Sequence, residues 1–200
     1  MITSHFSVPI YQKHILDASG EQINYINNLP QKPNQGNYRS YNTYILEEEI
    51  FSNTKQVILE HVKNYFEDVF SPVNDVEIYI TQSWLNWTSQ KGFHHTHMHP
   101  NSFISGVYYP MVTEGEDVIS ILNPNNKLYP LEFTQREYKT YSSGSWNFGV
   151  KTGDLILFPS SLFHKVPPVN SDKTRVSLAF NTFVRGDLMN PDNLSALDLQ

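Results

Sequence analysis

Eight histidines occur in this chain, and four of them, His94, His95, His97 and His99, fall within six consecutive positions. Side chains on an extended strand alternate faces, so His95, His97 and His99 are expected to point one way and His94 the other. Imidazoles at i and i+2 on one face reach the same metal ion. Taken alone, such a run also reads as a solvated surface segment or an adventitious metal site. A second segment shifts that balance. Gly153-Asp154, followed by Leu155, Ile156, Leu157, Phe158 and Pro159, reads as a tight turn and a buried strand, with His164 just past its end. A lone histidine there is more often a satisfied core residue, but with the upstream cluster and the later Arg175 it completes a constellation. Three imidazole nitrogens on one face of an octahedral ion leave three positions open, the geometry a non-haem iron needs to take a cosubstrate and O2 together. Imidazole suits iron, copper, nickel and zinc alike, so the ligands alone do not name the metal.

The rest of the chain must place those residues. At 200 residues it can bury one substantial core, and two full domains would be cramped. We read one domain over 1–200, with a helical N-terminal part at 1–70, a β core at 76–183 and a C-terminal arm at 185–200. In the first part, Ile23, Ile26 and Leu29 recur at helical spacing before Pro30, which predicts a helix over Asp17 to Leu29. Ile50, Val57, Ile58, Val62, Tyr65, Phe66 and Val69 form one apolar stripe between Glu48 and Val69, which predicts the longest helix, packed outside a sheet. After Ser71-Pro72 come short β-branched and aromatic runs separated by Gly, Pro and Asn, the pattern of a sandwich or barrel. The fold class expected is α+β, mainly β, with a jelly-roll core and helices outside.

Composition removes several functions. With no cysteine, thiolate nucleophiles, disulfides and zinc-finger ligation are out, and any metal must be held by His, Asp or Glu. The formal charge of -6 works against broad phosphate-backbone binding, so nucleic acid is a poor partner. The first residues lack the basic-then-apolar layout of a secretory signal, and no stretch of about 18 apolar residues exists to span a bilayer. The expectation is a soluble cytoplasmic protein. Its partner is expected to be a small-molecule or peptidyl substrate, and its oligomeric state, a homodimer included, is not readable.

Three segments carry a resemblance: SWLNWTSQKGFHHTHMHPNSFISGVYYP from Ser83 to Pro110, GDLILFPSSLFHKVPPV from Gly153 to Val169, and TRVSLAFN from Thr174 to Asn181. Together they resemble the 2-oxoglutarate- and Fe(II)-dependent oxygenase superfamily, and within it a subgroup common in marine bacteria and their phages. That superfamily shows His-x-Asp or His-x-Glu, a distal His, and an Arg or Lys about ten residues later. Carried over, His97 is the first histidine, His99 stands at the acidic position, His164 is the distal histidine, and Arg175 is the basic residue. The resemblance implies a double-stranded β-helix, cupin-like in outline, whose His97, His99 and His164 hold Fe(II), with 2-oxoglutarate as cosubstrate. It implies hydroxylation of a C–H bond, with release of succinate and CO2, on an amino-acid or peptidyl side chain. The departure is His99 in place of a carboxylate, which leaves the metal centre more positive by one unit. His99 is then either a ligand, as in some cupin dioxygenases, or a bystander to a two-histidine site completed by water; His95-x-His97 is a further register.

Arg175 and Ser177 resemble the Arg-x-Ser pair that anchors the distal carboxylate of 2-oxoglutarate, a bidentate fork with a hydroxyl on the same strand face. Tyr108 and Tyr109 alternate faces, one toward the cosubstrate pocket and one toward the core; Tyr108 is carried as the pocket residue. Asn86 lies on a strand expected to flank that pocket. Between Asn123 and Val150, six aromatic residues (Tyr129, Phe133, Tyr138, Tyr141, Trp146 and Phe148) form either a wall of the substrate pocket or a hairpin packing its own rings. Two other functions fit the same residues: a three-histidine dioxygenase that does not use 2-oxoglutarate, and a non-catalytic jelly-roll module holding zinc.

Overall fold

The computed structural model describes residues 3, 5–125, 131, 133–190 and 192–200. The N-terminal elements are β1 (Tyr11–His14), α1 (Gly20–Asn28), β2 (Gln31–Asn34), β3 (Asn37–Ser40) and α2 (Ser52–Phe70). Then come β4 (Glu77–Thr88), β5 (His94–His97), β6 (Ile104–Met111), β7 (Val118–Leu122), β8 (Ser145–Gly149), β9 (Asp154–Pro159), β10 (His164–Val166), β11 (Arg175–Asp187) and β12 (Asp198–Leu199). The larger sheet has the order β1-β9-β6-β11-β4-β3-β2, with β12 paired to the end of β11. The smaller runs β5-β10-β7-β8. Neighbouring strands pair antiparallel, and the two sheets make a double-stranded β-helix.

Strand alternation assigns each residue to a layer. On β9, Leu155 and Leu157 join the core beneath the helices, whereas Ile156 and Phe158 join the core between the sheets. Burial on both faces is why this run is continuously apolar. On β11, Val176, Leu178 and Phe180 face the helices. Arg175, Ser177, Ala179 and Asn181 therefore face the space between the sheets.

α2 forms because Ile58, Val62, Tyr65 and Phe66 recur on one face and are buried against the larger sheet. It stops at Ser71, which takes a left-handed conformation (φ 42°) just before Pro72. α1 begins at a capping box in which Ser19 and Gln22 satisfy each other's backbone N–H groups. The Gln22 amide then bonds the Ile50 carbonyl and the Thr54 hydroxyl, pinning α1 to α2.

The N-terminal part is less helical than its sequence predicts, because β1 extends the larger sheet beside β9 and the β2–β3 hairpin extends it beside β4. The C-terminal arm folds back, with Gly186 and Asp187 pairing Leu199 and Asp198. No helix among the described residues is long and apolar enough to cross a membrane.

Candidate metal and cosubstrate site

His97 and His164 lie directly opposite each other where β5 pairs with β10. His99 follows β5 and is tethered by its backbone N–H to the Ser160 carbonyl, at 3.0 Å. One potential ligand atom from each of the three imidazoles lies within 4.8 Å of the others. The Nε2 atoms of His97 and His99 are 3.3 Å apart. With metal–nitrogen bonds of about 2.1 Å, adjacent corners of an octahedron are roughly 3 Å apart, so this spacing suits one shared ion.

The protons are placed accordingly. His97 Nδ1 donates to the His95 carbonyl at 2.8 Å, His164 Nδ1 to the Leu162 carbonyl at 3.0 Å, and His99 Nδ1 to the Asn181 amide oxygen at 2.6 Å. Each Nε2 then carries a lone pair, and the pairs converge. Burial lowers the pKa of His97, lowers that of His99 to about 4 and lowers that of His164 to about 3. All three are therefore neutral near pH 7, as ligands must be. An all-imidazole donor set at this spacing fits a borderline divalent ion such as iron(II).

His94 departs from the strand-face expectation. His164 pairs His97 while Val166 pairs His94, so β5 spends three residues where β10 spends two. This β-bulge reverses the alternation. The His94 ring therefore stacks on His97, at 4.3 Å between centroids and 28° between planes, and lines the cavity. Burial, with its imidazole neighbours and Arg175, lowers its pKa to about 3.

Across the cavity, Arg175 is 2% exposed and makes no ion pair among the described residues. Its Nη1 donates to the Ser177 hydroxyl at 3.3 Å, and its Nε has no partner. Among the described residues, Asn86 Oδ1, Thr88 Oγ1 and the Tyr109 hydroxyl are also buried without a partner. Asn86 and Thr88 sit opposite Ser177 and Arg175 in the β4–β11 register, and the guanidinium lies 5.2 Å from the Tyr109 ring centre. Desolvation pushes the Tyr109 hydroxyl up to about 12. The nearby guanidinium opposes that rise, without a hydrogen bond of good geometry between them. A buried cation among unsatisfied polar groups is costly unless an anion completes it. Arg175 Nε and the Tyr109 and Thr88 hydroxyls can donate and so fit a carboxylate end of 2-oxoglutarate, whereas Asn86 Oδ1 only accepts and needs a different partner.

Comparison with known proteins gives this arrangement a family. A family model described as "Putative 2OG-Fe(II) oxygenase" matches residues 82–181, half of the chain. The chain belongs to that family. It is an oxidoreductase whose metal is iron(II) and whose cosubstrate is 2-oxoglutarate. No curated protein sequence matches it. The fold is similar to that of HygX from Streptomyces hygroscopicus, solved with nickel and 2-oxoglutarate bound, at 10% identity and TM-score 0.62 over 88% of this chain and 82% of that one. A Pseudomonas putida prolyl-4-hydroxylase is similar at 14% identity and TM-score 0.56, over 88% of this chain and 93% of that one. So is a 2OG-Fe(II) oxygenase family oxidoreductase from Burkholderia pseudomallei, at 14% identity and TM-score 0.51, over 82% and 78% of the two chains.

The remaining expected residues of this oxygenase are distributed as follows. Asn86 and Ser177 line the same cavity as His94, His97, His99, His164 and Arg175. Tyr108 does not. Its hydroxyl donates to the Leu16 carbonyl at 3.1 Å, and its ring belongs to the helix-side core. Alternation along β6 places Tyr109 beside Arg175 instead. The aromatic segment walls a different groove, where Tyr141, Trp146 and Phe148 meet Ile10 and Ile121 and no cluster histidine takes part. Tyr129 lies outside the described residues. Among residues at the candidate site, Asn181, Ser105, Thr88 and Trp84 escaped the sequence reading. Counting in twos along β11 from Arg175 reaches Asn181, so that signal was present.

Proposed function

We propose that this oxygenase hydroxylates a C–H bond of an amino-acid or peptidyl side chain, with His97, His99 and His164 holding iron and Arg175 anchoring 2-oxoglutarate. The observation that carries the reading is the buried, ion-pair-free Arg175, which shares one cavity with the unsatisfied Asn86 and with the clustered His97, His99 and His164. When bound, iron(II) supplies the redox chemistry that couples conversion of 2-oxoglutarate and O2 to succinate and CO2 with hydroxylation of the substrate.

The chain's own residues do the rest. Arg175 offers a planar fork to the distal carboxylate, and Ser177, two residues along the same strand face, adds a hydroxyl. Tyr109 and Asn86 stand beside it, Tyr109 able to donate its phenolic proton. Val107, Ile119 and Val166 close the cavity with apolar surface, which excludes water and strengthens each polar contact. The fixed Nδ1 contacts hold the imidazoles before any ion arrives, so little reorganisation accompanies binding.

The test is succinate formation on supplying Fe(II), 2-oxoglutarate and O2, with calorimetric binding of 2-oxoglutarate to the metal-loaded protein alongside, since turnover without substrate is slow. Arg175→Ala is expected to weaken 2-oxoglutarate binding by about 2–5 kcal/mol while metal binding survives. Unchanged cosubstrate affinity in that variant would refute the assignment.

A further inference from the structure

The three ligand histidines are not all held in the same way. His97 and His164 each donate Nδ1–H to a backbone carbonyl two residues earlier, which no side-chain substitution removes. His99 alone is held by side chains: the Asn181 amide oxygen on β11 at 2.6 Å, and the Ser105 hydroxyl on β6 at 2.9 Å. Ser105 and Asn181 are direct partners in the β6–β11 register. The Ser105 hydroxyl also meets Ser160 Oγ at 2.8 Å and Asn181 Oδ1 at 3.3 Å, and Ser160 donates to Ser102 Oγ at 2.7 Å. A chain of hydroxyls, buried at Ser105 and Ser160, thus ends on one imidazole nitrogen.

A neutral imidazole has one N–H and one lone pair, and the partner of one nitrogen decides the role of the other. A hydroxyl both donates and accepts, so Ser105 alone permits either tautomer. The amide oxygen only accepts. Facing Nδ1, it requires the proton there and leaves Nε2 to the metal.

We propose that Asn181 is a positioning residue, whose amide oxygen locks His99 in the Nδ1–H tautomer so that a neutral imidazole serves as the third ligand. The inference rests on the iron site proposed above. The tautomer, however, belongs to the metal-free chain and can be measured without any ion. Asn181→Leu removes the acceptor at similar volume and leaves the choice to Ser105. Asn181→Asp keeps the acceptor.

Long-range nitrogen–proton NMR correlations on protein carrying isotope-labelled histidine report which ring nitrogen holds the proton. Calorimetry with Co(II) as the probe reports metal affinity. The parent should show His99 protonated at Nδ1. Asn181→Leu should show the other tautomer or a mixture and bind Co(II) roughly 10- to 100-fold more weakly, the cost usual for losing an orienting partner. Asn181→Asp should keep the parent tautomer and bind within a few-fold of the parent. A parent His99 protonated at Nε2 overturns the proposal and needs no variant. So does Asn181→Leu with parent tautomer and affinity, or Asn181→Asp weakened as much as Asn181→Leu, which would indicate packing alone. A parent that holds the Nδ1–H tautomer yet binds no Co(II) supports the tautomer lock and strikes the iron-site reading instead.

Discussion

At the scale of single residues, the site differs from a carboxylate-containing one in charge. In the proposed site, iron(II) among three neutral imidazoles would keep its full double charge, and Arg175 would add another positive group across the cavity, which would favour an anionic cosubstrate. His99 is the residue to probe. His99→Ala removes a coordination bond and should weaken Co(II) or Fe(II) binding by more than roughly tenfold, as followed by calorimetry. His99→Asp should retain the metal, because the Asn181 amide can rotate to present its NH2 to the new carboxylate. The double variant His99→Asp/Asn181→Asp places two carboxylates together with only the Ser105 hydroxyl to donate between them and should bind more weakly than His99→Asp alone. If His99→Ala binds metal as tightly as the parent, His99 is a bystander and the site has two protein ligands.

At the scale of elements, strands with strict alternation were legible in the sequence and interrupted ones were not. The run Leu155–Phe158 and the series Arg175, Ser177, Ala179 and Asn181 follow period two without a break, so their faces could be read directly. Strict alternation assigns His94 to the opposite face, and wrongly, because the extra residue in β5 is visible only when β10 lies beside it. A similar irregularity in β4, opposite Asn181 and Thr182, puts Ile78 on the same face as Leu85, an odd number of residues away. β1, β2 and β3 escaped because they are four residues each and join an existing sheet, so their strand character comes from the neighbour rather than from their own composition. The layer that carries the site depends on close approach at one point. A Cβ at Gly106 would lie 2.1 Å from the Phe180 ring tip, beneath the strand pair that aligns Ser105 with Asn181. Gly106→Ala is expected to destabilise the fold by about 1–3 kcal/mol in denaturant titration, the usual cost of overpacking. Adding Phe180→Leu should recover part of that loss. Recovery with no change in Co(II) affinity would show that the clash acts on the core and leaves the site in place.

For the molecule as a whole, the histidines couple folding to pH. Burial lowers the pKa of His94 and His164 to about 3 and that of His99 to about 4, and His97 and His61 are also lowered, against an ordinary value of 6.5. Below pH 6.5 the unfolded chain takes up protons at these positions while the folded one declines them. Their contribution to stability is therefore complete above pH 6.5 and is lost as the pH falls toward the folded values. Each contributes a slope of at most about 1.4 kcal/mol per pH unit in that window. Metal binding bends the same way, since protons compete with the ion for the Nε2 lone pairs and a bound ion stabilises only the folded state. Denaturant midpoints of metal-free protein at pH 7.5, 6.0 and 5.0 should therefore fall progressively, and His94→Phe, which removes one titrating ring but keeps its stacking on His97, should flatten the decline. Adding Co(II) at pH 7.5 should raise the midpoint strongly, and the same addition at pH 5.0 should raise it much less. A midpoint flat between pH 7.5 and 5.0 would mean that these imidazoles titrate normally in the folded chain, and so are neither desolvated nor held neutral for a metal.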